Sequence, residues 1–122
     1  MSKKYGLISS FKFAFEGLSD AFKNEPNLRV HVFFAAGAII AGFLLKLSAL
    51  EWIILSFTIT WVFVMELLNT TLEALVDLHS PEHHPKAKVA KDVAAAGVLV
   101  SAFLSLVVAA LLFLPKIIVY FK

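Results

Sequence analysis

No cysteine occurs among the 122 residues, which excludes a disulfide framework, a thiolate nucleophile and a Cys-based zinc site, and leaves redox compartment unreadable. Charge is scarce too. Only 16% of residues are Asp, Glu, Lys or Arg against 60% hydrophobic, too oily for a typical water-soluble domain, so a membrane protein is the default reading. With no Pro/Gly/Ser-rich linker, composition shift or fixed-period repeat, the chain reads as one unit, 1–122. The net charge of +2 is small and no basic, aromatic-interleaved tract exists, so nucleic acid is not an expected partner. Also lacking are G-x-x-x-x-G-K-[ST], G-x-G-x-x-G, G-x-S-x-G and H-E-x-x-H, so P-loop, Rossmann, α/β-hydrolase and zincin chemistry fall away. The start, "MSKKYGLISSFKFAFEGLSDAFKNE", carries charges throughout, unlike a cleaved signal peptide, and is expected to stay on the mature protein.

What is present is helical and apolar. Ile8, Phe11, Phe15, Leu18 and Phe22 recur at steps of three and four opposite Lys12, Glu16, Ser19, Asp20 and Lys23, which predicts an amphipathic helix over about 7–23. Such a helix lies in the headgroup boundary; packing of its stripe on protein is the other use of the pattern, and both can hold in part. Pro26 in "NEPNLRVH" disfavours helix at Glu25 and predicts a bend. Three spans follow, over about 29–47, 50–78 and 91–114, separated by a turn at 46–51 and by the proline-bounded "HSPEHHPKAKVAK". Pro115 and Lys116 mark the far end of the third. The fold class is therefore all-α integral membrane: a surface helix plus three transmembrane helices. Lys3, Lys4, Lys12, Lys23, Arg29, Lys86, Lys88 and Lys91 fall on one side and Lys46, Lys116 and Lys122 on the other, so the first side is expected to be cytoplasmic. That places a multi-pass protein in the inner (cytoplasmic) membrane.

The second span ends unusually, in "ELLNTTLEALVD". At 100° per residue, starting from Glu66, Asn69 lies at about 300°, Glu73 at about 340° and Asp77 at about 20°, one narrow face rising about 16 Å. Ionisable groups at membrane depth cost on the order of 3 kcal/mol each, so such a column calls for a counter-ion. Lys91, Arg29 and a bound metal are the candidates; carboxylate and amide oxygens suit Mg²⁺, which binds one or two carboxylates plus substrate phosphates. His79, His83 and His84 invite a zinc reading, but histidines in such a loop are more often solvated, and Glu82 is read the same way. Singly, each residue has a plainer use. Asn69 can bond between helices, Glu73 and Asp77 can be a solvated helix end, and Lys91 with Asp92 a cap and dipole pair.

Residues 66–77 closely resemble the E-x-x-N-[ST]-x-[IL]-E-x-x-x-D signature of the small prokaryotic diacylglycerol kinases. "AKD" followed by "AAAGVL", and "NE" with an arginine four residues beyond the glutamate, match as well, so the resemblance covers nearly the whole chain. The family has diacylglycerol kinase and undecaprenol kinase branches, and "NEPNLRVH" and "HHPKAKVAKDVAAAG" look more like the second. The resemblance implies transfer of the γ-phosphate of Mg-ATP to the primary hydroxyl of a membrane lipid alcohol, undecaprenol favoured and diacylglycerol next. It also implies a homotrimer with shared active sites. On this chain it puts the general base at Glu66 with Asn69 arranging the site, metal-holding carboxylates at Glu25 and Glu73, and the phosphate-contacting lysine at Lys91. Asp77 and Asp92 match acidic positions near the nucleotide. His31 stands where a diacylglycerol kinase has a carboxylate near its lipid cleft, and the family's nucleotide-gripping N-terminal arginine has no counterpart, Lys3, Lys4 and Lys12 being the nearest bases. Two readings compete with the kinase: a non-catalytic three-span accessory subunit whose acidic stripe docks a partner's basic helix, and a cation-conducting assembly. A pore would want polar residues along a whole span, whereas these gather at one end.

Overall fold

A computed structural model describes residues 4–122, which form four helices in chain order: α1 (Leu7–Asn24), α2 (Pro26–Leu44), α3 (Ala49–His79) and α4 (Pro85–Tyr120). Lys3 lies outside the described residues. The last three are long and apolar enough to cross a membrane. At 1.5 Å per residue α3 and α4 reach about 46 and 54 Å, well beyond a hydrocarbon core of about 30 Å, so each carries turns that stand clear of the lipid tails.

Local chemistry sets each boundary. Glu25 adopts an extended conformation between α1 and α2, and Pro26 opens α2 at a position whose missing N–H is no loss. Arg29 then reaches back, donating to the carbonyls of Phe22 (2.9 Å) and Lys23 (2.8 Å) at the end of α1. That use takes it away from the acidic column, for which it was a candidate counter-ion.

α2 ends with Lys46 in the left-handed region at φ 55°, with the Lys46 and Leu47 amides donating to Phe43 (3.3 Å) and Gly42 (3.0 Å), the paired bonds of a Schellman cap. At Gly42 a Cβ would meet the Trp52 ring at 2.7 Å, so the absent side chain lets the turn close. α3 starts in a reciprocal cap: the Glu51 amide donates to Ser48 Oγ (3.2 Å) and the Ser48 amide to Glu51 Oε2 (2.7 Å). Lys116 of α4 reaches the same Oε2 at 3.1 Å, tying the start of α3 to the end of α4.

The third span's helix is longer at both ends than 91–114. Pro85 sits in its first turn, where His84 Nδ1 accepts from the Lys86 amide (3.1 Å), and the helix continues through Pro115 to Tyr120. Proline there forfeits one backbone bond to the preceding turn, a small loss with only a turn and a half of helix left.

α3 and α4 pack along their length, α2 leans on both and α1 touches α2. The inward side is thin: Leu47, Leu55, Leu112 and Phe113 form a small core at the end away from α1. Most large apolar side chains face outward, as with Phe33 at 74% exposure, and so do Ile8, Phe11 and Phe15 of α1. A water-soluble protein would bury this surface; three spans in lipid leave it where it is. The stripe of α1 stays largely exposed, with α2 its main neighbour, which accords with a helix lying on the membrane. Of the small residues suited to helix contact, Gly97 has a close neighbour, its would-be Cβ 2.6 Å from Met65 Cε, while Gly37 faces open space.

Candidate active site

The acidic column continues the inward stripe of α3. Leu55, Thr58, Val62, Glu66 and Asn69 are buried in succession at steps of three and four, so a residue's facing is set by the same periodicity that builds the core. Beyond Asn69 the stripe opens: Glu73 is half-buried and Asp77 exposed.

Glu66 is 1% exposed, and neither carboxylate oxygen has a hydrogen-bond partner. The nearest cationic candidate, His31 Nε2 on α2, stands 3.7 Å from Oε2, too far for a hydrogen bond. Asn69 donates through Nδ2 to Glu73 Oε1 (3.1 Å), while its Oδ1 is buried and unpaired. Glu25, at the α1–α2 bend, and Glu73 both lie near enough for their charges to act on Glu66. Among the described residues no lysine or arginine pairs with any of these three carboxylates. Lys91, the other candidate counter-ion, pairs with Asp77 one turn further out, and Lys88 pairs with Asp92.

Two hollows lie beyond the two ends of this cluster. Outside, a cleft of about 550 Å³ lies between the ends of α3 and α4 and under their loop, with Asp77, Lys88, Lys91 and Asp92 on its walls. Inside, an apolar groove of about 560 Å³ runs along α2, α3 and α4 from His31 toward Ile117. Sequence inspection missed this groove, because its walls come from three helices and no single stretch marks it. It also missed the cap made by His84; the signal was there, since an acceptor just before Pro85 and a helix start is a capping position. Among the described residues no three Asp, Glu or His side chains gather closely enough to hold a metal unaided.

A buried carboxylate with a polar cleft beyond one end of its column and an oily groove beyond the other, at one end of three spans, suits a membrane enzyme that joins a water-soluble donor to a lipid acceptor. Comparison with known proteins gives the particular family: residues 12–113 match the prokaryotic diacylglycerol kinases, and the chain belongs to that family. It is 44% identical to an undecaprenol kinase of Bacillus subtilis over 91% of this chain and 90% of that protein. Its identity to a diacylglycerol kinase of Synechocystis is 41% over 91% of this chain and 64% of that protein. A diacylglycerol kinase of Haemophilus influenzae shares 36% over 78% and 80%. The chain is an ATP-dependent lipid kinase, and the accessory-subunit reading loses its ground.

Proposed function

We propose that this kinase phosphorylates undecaprenol, with diacylglycerol the second choice, and that it works at the cytoplasmic face of the inner membrane as a homotrimer with active sites shared between copies. The observation that carries the reading is Glu66: a buried carboxylate with both oxygens free, 3.7 Å from His31 on the wall of a groove that fits hydrocarbon and about three turns of α3 from Asp77 and its partner Lys91, which suit phosphate. The 44% identity to an undecaprenol kinase supports the acceptor. Sharing of the site is supported by its shortfall among the described residues of one copy, where three carboxylates lack a lysine or arginine partner and no complete metal-ligand set gathers.

The residues fit Mg²⁺. Glu25 and Glu73 offer hard oxygens, and the unpaired buried Oδ1 of Asn69 adds a neutral one. When bound with ATP, the ion neutralises phosphate oxygens and favours in-line displacement. Lys91, held at the rim by Asp77, contacts the phosphates, with Asp77 and Asp92 beside the nucleotide. Asn69 fixes the rotamer of Glu73 through their hydrogen bond. His31 and the groove below it hold the alcohol so that its oxygen faces Glu66. Glu66 takes the hydroxyl proton as the new O–P bond forms and the bond between the β- and γ-phosphates breaks, releasing ADP and a lipid monophosphate. A site sealed from bulk water also limits hydrolysis of ATP in place of transfer.

Purified protein incubated with γ-labelled ATP and Mg²⁺ against undecaprenol and diacylglycerol tests the reading. Label is expected in undecaprenyl phosphate at the higher rate; label in neither lipid, or a higher rate with diacylglycerol, overturns it.

A further inference from the structure

The groove walled at one end by His31 is nearly mute in hydrogen-bonding. Of its polar side chains, Thr58 donates to the Ile54 carbonyl (2.8 Å) and Ser105 to the Ala102 carbonyl (2.6 Å), so both hydroxyl protons are taken within their own helices. The backbone amides around them are engaged in helix. One residue on the wall keeps an uncommitted polar edge: His31, whose side chain is 20% exposed and whose Nε2 points to within 3.7 Å of Glu66 Oε2. One turn deeper, the wall turns to Val62 and Phe63 on α3 and Phe34 on α2.

We propose that His31 is the specificity-determining residue of this kinase: its imidazole hydrogen-bonds the acceptor's lone hydroxyl, and the donor-free wall beneath it rejects lipids with ester carbonyls beside that hydroxyl. The inference rests on the lipid-kinase reading and deepens it. A chain alcohol brings one polar group, and His31 with Glu66 satisfies it. A diacylglycerol brings two ester carbonyls within a few bonds of its hydroxyl, into the depth lined by Val62, Phe63 and Phe34. Stripped of water there, they find no donor, and a site that leaves buried polar groups unpaired discriminates strongly. What the site reads is therefore the absence of esters near the hydroxyl and not the isoprenoid pattern. A saturated long-chain alcohol should pass the same test as a polyprenol.

The experiment measures kcat and KM in one mixed-micelle system for a long-chain polyprenol, a saturated long-chain alcohol and diacylglycerol, with wild type, His31→Gln and His31→Phe, and measures KM for Mg-ATP in parallel. Wild type should use both alcohols with kcat/KM about 10²-fold above that for diacylglycerol. His31→Phe should lower kcat/KM for both alcohols about 10-fold or more and shrink the preference, with KM for Mg-ATP unchanged. His31→Gln, which keeps a donor and an acceptor, should recover most of the loss. Should His31→Phe fail to fold, His31→Leu takes its place and must likewise shrink the ratio of alcohol to diacylglycerol turnover; a ratio held at the wild-type value overturns the proposal. Equal use of all three acceptors by wild type overturns the proposal while leaving the kinase intact, as does a polyprenol turned over with the saturated alcohol refused. An unchanged preference in His31→Phe overturns it too. Transfer to no acceptor at all overturns the lipid-kinase reading itself.

Discussion

Replacing Glu66 by glutamine should strengthen the protein and disable it in the same stroke. The side chain is 1% exposed, both its oxygens lack hydrogen-bond partners, and the charges of Glu25 and Glu73 act on it from nearby. Glutamine has nearly the same volume, so the packing around the side chain is kept, while a buried carboxylate with two unpaired oxygens is replaced by a neutral amide. Unpaired buried polar groups cost about 1–3 kcal/mol, and a charged one lies at the upper end, so relief of about 2 kcal/mol is a reasonable expectation. For a chain of this size that corresponds to a rise of several degrees in the unfolding midpoint, roughly 4 °C per kcal/mol. Losing the general base should lower lipid phosphorylation about 10³-fold, within the span general-base catalysis covers. Thermal unfolding in detergent, without nucleotide or metal, and a labelled-phosphate transfer assay at saturating Mg-ATP read the two effects separately. A variant that melts earlier than wild type would mean that the carboxylate is stabilised in the resting protein and not strained. A variant that transfers phosphate at the wild-type rate would remove Glu66 from the chemistry.

Two further expectations concern the frame that holds the site. Lys46→Gly should raise stability by about 1 kcal/mol, because glycine adopts the positive φ of the α2 cap without the Cβ clash lysine suffers; an unchanged or lower midpoint in thermal melts would refute it. Arg29→Ala should free the Phe22 and Lys23 carbonyls, cost about 1 kcal/mol since both bonds are exposed, and raise amide hydrogen exchange in the last turns of α1 and around Glu25 more than in α3; uniform protection across α1 would argue against this anchor.

Much of this architecture was legible along the chain because a bilayer imposes simple rules. Long apolar runs, a proline at position 26 and a proline-bounded loop were enough to place one surface helix and three spans, and 100° per residue was enough to align Glu66, Asn69, Glu73 and Asp77. Helical periodicity put Glu66 and Asn69 on one face, and the structure buries both. It did not say that the face would be sealed at Glu66 and open at Asp77, since burial depends on how the helices approach one another, as where Gly97 of α4 meets Met65 of α3.

Partner choice was the least readable part. Arg29 and Lys91 were both candidates to balance the column, yet only Lys91 reaches it, at its outer member Asp77, while Arg29 caps α1. His31 and Glu66 are thirty-five positions apart and belong to different helices, so only packing of α2 on α3 brings them together over the groove. The chain alone thus determined the spans, the polar face and the family signature, all of which follow from local periodicity and residue order. Tertiary structure alone decided which charges go unpaired and what hollow they overlook, because both are set by distances between helices that no single stretch of sequence encodes.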